Sequence, residues 1–181
     1  MRLMLKVLFY VVGALTVVIA GVLAYAATRP DVFEVQRSVS IKAPPEKIFP
    51  LINDLRAFNR WSPYETKDPD MKRTYSGAER GLGAIYEWNG NKNVGAGRIA
   101  IAKSSPSSNV TLELDMFSPI EAHNLVEFTL VPQGESTKVT WAMQGKVPYI
   151  AKIVHVFLNM DRMVGDDFSA GLANLKSIAE K

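Results

Sequence analysis

Residues 150–180 carry the pattern that most constrains this chain. Ile150, Ile153, Phe157, Met160, Val164, Phe168, Leu172, Leu175 and Ala179 recur at steps of three and four. That is the stripe an α-helix turns toward a core. Lys152, Asn159, Arg162, Asp166, Ser169, Lys176 and Glu180 fall on the other side and mark a solvated face. A helix of about thirty residues, rising about 1.5 Å each, is roughly 45 Å long. Beyond the first thirty residues no other stretch keeps this period so long, and short strand-like runs precede it. The expected arrangement is one long helix laid across one curved sheet, with an apolar cavity between them as the candidate site.

The strands follow from alternation. Phe33, Val35, Val39 and Ile41 alternate with Glu34, Gln36, Ser38 and Ser40, giving a first strand over Phe33–Lys42. Arg37 breaks that pattern and points to an edge position or a change of face. Ala43-Pro44-Pro45-Glu46 opens a helix, because proline suits a first turn and Glu46 suits its dipole. A second short helix or turn within Asp54–Tyr64 carries Phe58, Trp61 and Pro63. Six strand-like runs come next: Met71–Ser76, Ala84–Asn89, Gly97–Lys103, Val110–Phe117, Leu125–Val131 and Thr137–Gln144. Asn89-Gly90-Asn91 and Gly134-Glu135-Ser136 have hairpin chemistry. Strands and helices are segregated, which predicts an α+β domain with a seven-stranded antiparallel meander.

Alternation also sorts the inward positions. Tyr86 and Trp88 share a face, as do Ile99 and Ile101, then Leu112, Leu114 and Met116. Val126, Phe128 and Leu130 follow, and Val139, Trp141 and Met143 close the set. The expected cavity lining is Trp61, Tyr86, Trp88, Trp141, Met143, Phe157, Met160 and Val164. Aromatic and methionine side chains at facing positions, with too few helices to cover the sheet, favour a cavity over a solid core.

Specific strings then carry a resemblance. They are Phe33–Phe49 (FEVQRSVSIKAPPEKIF), Trp61-Ser62-Pro63, Tyr86–Asn91 (YEWNGN), Val94–Gly97 (VGAG) and Met160–Phe168 (MDRMVGDDF), in that order. Together they resemble the SRPBCC superfamily, also called START-like or polyketide-cyclase/dehydrase-like. The resemblance covers about residues 33–180. It implies a helix-grip fold, in which a seven-stranded antiparallel sheet wraps a long C-terminal helix and two small helices close one end. It also implies an internal cavity for lipids, sterols, polyketides or other hydrophobic molecules. It does not imply one chemistry, because members include carriers, cyclases, regulators and chaperone co-factors.

The first 29 residues lie outside that resemblance. Val7–Ala27 has no charge, and only Gly13, Thr16 and Gly21 fall outside the apolar class. A bilayer core takes about 20 helical residues, and eleven Val, Leu, Ile or Phe residues contribute roughly −3 to −7 kcal/mol toward insertion. Ala24-Tyr25-Ala26 resembles a signal-peptide cleavage site, but the run exceeds the usual 7–15 residues of such a segment, so an uncleaved anchor is expected. Arg2 and Lys6 before the span favour a cytoplasmic N-terminus. Residues 30–181 would then form one domain outside the membrane, which in a bacterium is the periplasm.

Without Arg2 and Lys6, 19 of the 21 basic residues face 18 acidic ones, so the rest of the chain is nearly neutral. No Lys/Arg cluster interleaved with aromatics appears, and nucleic acid is not an expected partner. The chain has no cysteine, hence no thiolate nucleophile and no Cys metal site. No Gly-x-Ser-x-Gly elbow, Walker loop or His-Glu-x-x-His occurs. His123 and His155 are isolated, Asp166 and Asp167 point about 100° apart on a helix, and Asp161 offers a cap for a helix beginning near Met160, which would break the long helix there. No catalytic residue, metal or cofactor is assigned. The expected function is membrane-tethered binding of a hydrophobic small molecule or lipid. A cyclase or dehydratase, or a protein-interaction module, is the alternative.

Overall fold

The computed structural model describes the backbone of residues 2–157 and 160–181, with side chains described outside 1–5, 154, 155 and 157–160. The chain divides into two compact units. Residues 34–146 and 160–181 form the larger, and residues 1–33 and 147–159 the smaller.

The larger unit is the sheet with its closing helix. Seven strands, β1 (Val32–Ile41), β2 (Lys72–Gly77), β3 (Ala84–Asn89), β4 (Ala96–Ser105), β5 (Asn109–Ser118), β6 (Ala122–Gln133) and β7 (Ser136–Lys146), lie in the order β1-β7-β6-β5-β4-β3-β2. Each consecutive pair from β2 to β7 is antiparallel. This is the expected meander, with β1 returning as an edge strand. Between β1 and β2 come α2 (Pro45–Asn53), a 3-10 turn over Ala57–Arg60, and α3 (Pro63–Lys67). α2 opens on Pro45 and Glu46 and buries Ile48 and Ile52.

Register fixes which inward side chains are neighbours. One row runs Trp141, Phe128, Val110, and the next runs Met143, Val126, Leu112, Ile101. A third links Asn124, Leu114, Ile99, Tyr86 and Tyr75, and a fourth links Gly97, Trp88 and Arg73, with Met116 opposite Gly97. The C-terminal helix α5 (Met160–Ala179) covers the first rows, burying Phe168, Leu172, Leu175 and Ala179. Coverage fades along the sheet: Phe128, Leu112 and Ile101 are fully buried, whereas Leu114, Met116 and Trp88 are half-buried.

Arg37 finds its reason on the edge strand. Its guanidinium grips both carboxylate oxygens of Asp161 at 2.9 and 3.0 Å, and the Asp161 carbonyl at 2.9 Å. It lies against Gly165, whose missing Cβ leaves room for it. The start of α5 is thereby pinned to β1.

The smaller unit holds α1 (Arg2–Ala27) and α4 (Tyr149–Phe157). Within α1, Lys6–Ala27 has a mean hydropathy of 2.6 and is long and apolar enough to cross a membrane. Residues 6–21 are exposed throughout, and burial begins only at Val22 and Ala26, one helical turn apart. α4 packs there. The Tyr149 hydroxyl donates to the Leu23 carbonyl at 2.9 Å, Lys152 Nζ donates to the Arg29 carbonyl at 2.8 Å, and Nζ also pairs with Asp31. The Val147 N–H donates to the Asp31 carbonyl at 2.8 Å.

The single helix expected over 150–180 is therefore described as two, α4 and α5, in different units, with Leu158 and Asn159 outside the described residues. Two expected placements in the first part are reversed. Ile150, placed on the core stripe, is 77% exposed, and Lys152, placed in solvent, is 7% exposed. A lysine can be buried where a carbonyl and a carboxylate receive its amine, and the residues just after α1 supply both.

Candidate functional site

The concave face of the sheet carries two separate aromatic clusters. In the first, Trp141 stacks on Phe168 with ring centroids 4.0 Å apart, and meets Trp61 edge-on at 5.5 Å and Phe128 at 5.0 Å. Trp61 is held by its indole N–H donating to the Leu51 carbonyl at 2.9 Å. Gly171 admits the Trp141 ring: a Cβ there would lie 2.7 Å from it. Trp141 Nε1 itself is buried, with no hydrogen-bond partner among the described residues.

The second cluster lies toward the other edge. Tyr86 stacks on Tyr75 at 5.0 Å and sits 5.8 Å from Trp88. The Trp88 indole N–H donates to the Val94 carbonyl at 3.1 Å, and its ring lies over Gly97, where a Cβ would come within 2.6 Å. β7 and β3 are four strand spacings apart, about 19 Å at roughly 4.8 Å each. Trp61 and Trp141 thus stand together, Tyr86 and Trp88 stand together, and the two pairs do not meet. Met143 lies in the row between, buried opposite Val126. Val164 is half-buried, one turn before Phe168 on α5. The side chains of Phe157 and Met160 lie outside the described residues.

Beside the second cluster is a buried polar knot absent from the expected lining. Glu65 of α3 accepts from the Tyr86 hydroxyl at 2.8 Å and from Arg73 Nε at 2.8 Å. The remaining Arg73 nitrogens donate to the carbonyls of Pro69, Met71 and Asp68. Burial pushes the Tyr86 phenol well above its ordinary value, and the hydrogen bond to Glu65 adds to that. Burial likewise raises Tyr75. Asp68, also buried, accepts the Asn91 N–H at 2.6 Å and holds the hairpin after β3. One signal in the sequence marks this knot: Arg73 sits on the inward alternation of Met71, Arg73 and Tyr75, where an arginine needs a buried carboxylate.

A pocket of about 260 Å³ opens next to Tyr75, lined by Leu55, Arg56, Tyr75, Ser76, Gly77, Ala78, Glu79, Ala84 and Ile85. Leu55 and Ala84 are buried beneath it, and Arg56 and Glu79 are exposed at its rim. The Arg56 guanidinium lies 4.4 Å from the centre of the Tyr75 ring, a cation–π distance. None of the six expected lining residues whose side chains are described borders this pocket. Its volume falls just short of the usual range for drug-sized ligands, about 300–1,000 Å³. Among the described residues no group of three or more His, Cys, Asp or Glu side chains is placed to hold a metal ion.

Residues 32–180 match the family model described as polyketide cyclase / dehydrase and lipid transport. The chain belongs to that family. Solved structures similar to this polyketide cyclase/dehydrase-type chain agree on the fold. A protein of Chromobacterium violaceum aligns with a TM-score of 0.58 at 13% identity, over 84% of this chain and 99% of its own. The Aha1 dimer from Colwellia psychrerythraea aligns at 0.56 and 19% identity, over 82% and 96%. Ginseng major latex-like protein 151 from Panax ginseng aligns at 0.58 and 12%, over 84% and 100%. No curated protein matches the chain in sequence. In polyketide cyclase/dehydrase terms, the chain has the helix-grip sheet and C-terminal helix, preceded by the apolar α1.

Proposed function

We propose that this chain is a membrane-tethered domain that binds a hydrophobic small molecule or lipid on the concave face of its sheet, without catalysis. The observation that carries the reading is the gradient of burial along that face. Rows under α5 are filled by Trp61, Phe128, Trp141 and Phe168, whereas Trp88, Leu114 and Met116 stay half-exposed. Large apolar side chains held in fixed positions, as Trp88 is by Val94 and Gly97, offer dispersion contacts to an apolar ligand. Family membership supports the ligand class, and α1 supplies the tether. Arg2 and Lys6 favour a cytoplasmic N-terminus in an inner membrane, with the sheet domain on the far side. The test is to purify the full chain in lipid nanodiscs and identify co-purifying small molecules by native mass spectrometry. Wild type should carry an apolar ligand, and Met116→Trp, which fills the half-open end, should lose it. Ligand-free wild type, or equal occupancy in both, overturns the reading.

A second reading, a cyclase or dehydratase acting on such a molecule, has one observation in its favour. Tyr86 and Glu65 form a buried hydrogen-bonded pair with a perturbed phenol, the sort of pair that serves acid–base chemistry. Against it, Arg73 already occupies Glu65 and is itself tied to three carbonyls, an arrangement that pins α3 to β2. Tyr86→Phe separates the two: an enzyme loses turnover of its substrate, whereas a carrier keeps its ligand.

A further inference from the structure

This inference rests on reading α1 as a membrane span and concerns what lies beside it. Tyr149 of α4 reaches the carbonyl of Leu23, four residues inside the end of the apolar run. Four residues of helix are about 6 Å, so this contact sits just below the level at which such a span leaves the hydrocarbon. Lys152 reaches the carbonyl of Arg29, beyond the end of α1, and there meets Asp31. A phenol at the depth of an aromatic belt and an amine directed toward the headgroups are what an interface selects.

Among the described residues of α4, two large side chains stay open. Ile150 is 77% exposed and Tyr149 46%. The segment Lys146–Phe157 contains two lysines and no carboxylate in an otherwise largely apolar run. Interfacial helices bury an apolar face about 5–10 Å into the headgroup–acyl boundary while basic residues meet the polar layer. The level fixed by Tyr149 lies within that range.

We propose that α4 is a second membrane-contacting element, lying in the interface of the bilayer that α1 crosses, with Ile150 and Tyr149 against lipid. The smaller unit is then a lipid-embedded pair, a crossing helix braced by an interfacial one. Tyr149, bonded to α1, and Lys152, bonded to the residues just after it, fix the depth of α4.

The absence of native cysteine makes the test direct. Ile150→Cys and Val17→Cys, the latter at the centre of the span, are labelled with an environment-sensitive fluorophore in the full chain. Both proteins are reconstituted in phosphatidylcholine–phosphatidylglycerol vesicles carrying nitroxide lipids, spin-labelled either near the headgroup or near the chain end. The label at Ile150 should be quenched about twofold more strongly by the headgroup-proximal nitroxide than by the deep one, as an interfacial site requires. The label at Val17 should show the reverse order. If Val17 is quenched and Ile150 is not, α4 faces water or another copy of the chain, and the proposal fails while the tether stands. If Ile150 shows the deep pattern of Val17, α4 is not interfacial and the proposal also fails. If neither site is quenched, the tether reading fails and takes the proposal with it.

Discussion

Trp141 of β7 and Phe168 of α5 lie face to face, ring centroids 4.0 Å apart and planes inclined by 11°. That contact fastens the C-terminal helix to the sheet, and Trp61 closes it from the side. Phe168→Ala should cost about 3–5 kcal/mol, the usual loss for a buried phenylalanine. Gly171→Ala should cost about 1–3 kcal/mol by overpacking, because a Cβ there strikes the Trp141 ring and comes 3.0 Å from Pro63. Denaturant unfolding of each variant measures both values. A loss below about 1 kcal/mol for Phe168→Ala would mean that this end of the face is loosely packed.

Glu65 should behave as a structural carboxylate. Its removal leaves Arg73 and the Tyr86 hydroxyl facing a gap, and breaking a buried pair costs about 3–5 kcal/mol. Glu65→Ala is expected in that range. Tyr86→Phe, which removes one hydrogen bond and keeps the ring stack, should cost only about 1 kcal/mol. Equal losses for the two variants would mean that the Arg73–Glu65 pair adds nothing beyond the Tyr86 hydrogen bond.

The same residues show what the sequence makes legible. Strand alternation identifies the inward side chains correctly from Tyr86 to Met143, because a pleated strand with one buried face has no other pattern available. Alternation says nothing of row or distance, so Trp88 and Trp141 look like partners although four strand spacings separate them. Glu65 is invisible because α3 has five residues, too few to show a period. Lys152 misleads for a different reason. Periodicity sends a lysine to solvent, and only the end of α1, remote in sequence, reveals why this one is buried. Arg37 is intermediate: its break in the alternation is plain, but its partner Asp161 lies 124 residues away.

That Arg37–Asp161 pair sets an acid limb for stability. The guanidinium holds the Asp161 carboxyl below its ordinary value of 3.8. The pair's contribution is therefore full above that value and is lost as pH falls below it through the lowered one. Arg37→Gln should melt below wild type near neutral pH, and the gap should narrow below pH ~3. Thermal melts of both proteins across the acid range check this, and a gap independent of pH would detach the arginine's role from its charge.

Tyr86 sets the opposite limb. Its phenol is raised above the ordinary value of 10.0, so the stability it contributes is full below that pH and declines as pH rises beyond it. Wild type should lose stability above pH ~10 more steeply than Tyr86→Phe. Parallel unfolding curves in alkali would show that the buried phenol does not govern this range.

Lys152→Met keeps the unbranched apolar stem of the side chain and removes the amine. The Arg29 carbonyl and Asp31 lose their partner, and α4 should loosen from α1. Loss of a charged hydrogen bond of about 1.5 kcal/mol corresponds to roughly tenfold faster amide exchange across 147–153. Mass-detected hydrogen exchange on the full chain reads it directly. Unchanged protection would mean that Tyr149 and the apolar contacts suffice.

The bond between Lys152 and Asp31 also imposes a timetable. The two residues are 121 positions apart, and a ribosome adding about 5–20 residues per second needs roughly 6–24 s to cover that distance. For that interval the N-terminal helix exists without its brace, while the whole sheet is still being made. On the proposal that α1 crosses a membrane, its orientation is then settled by its own flanking charges before α4 emerges. The brace can lock a choice already made, but it arrives too late to make it.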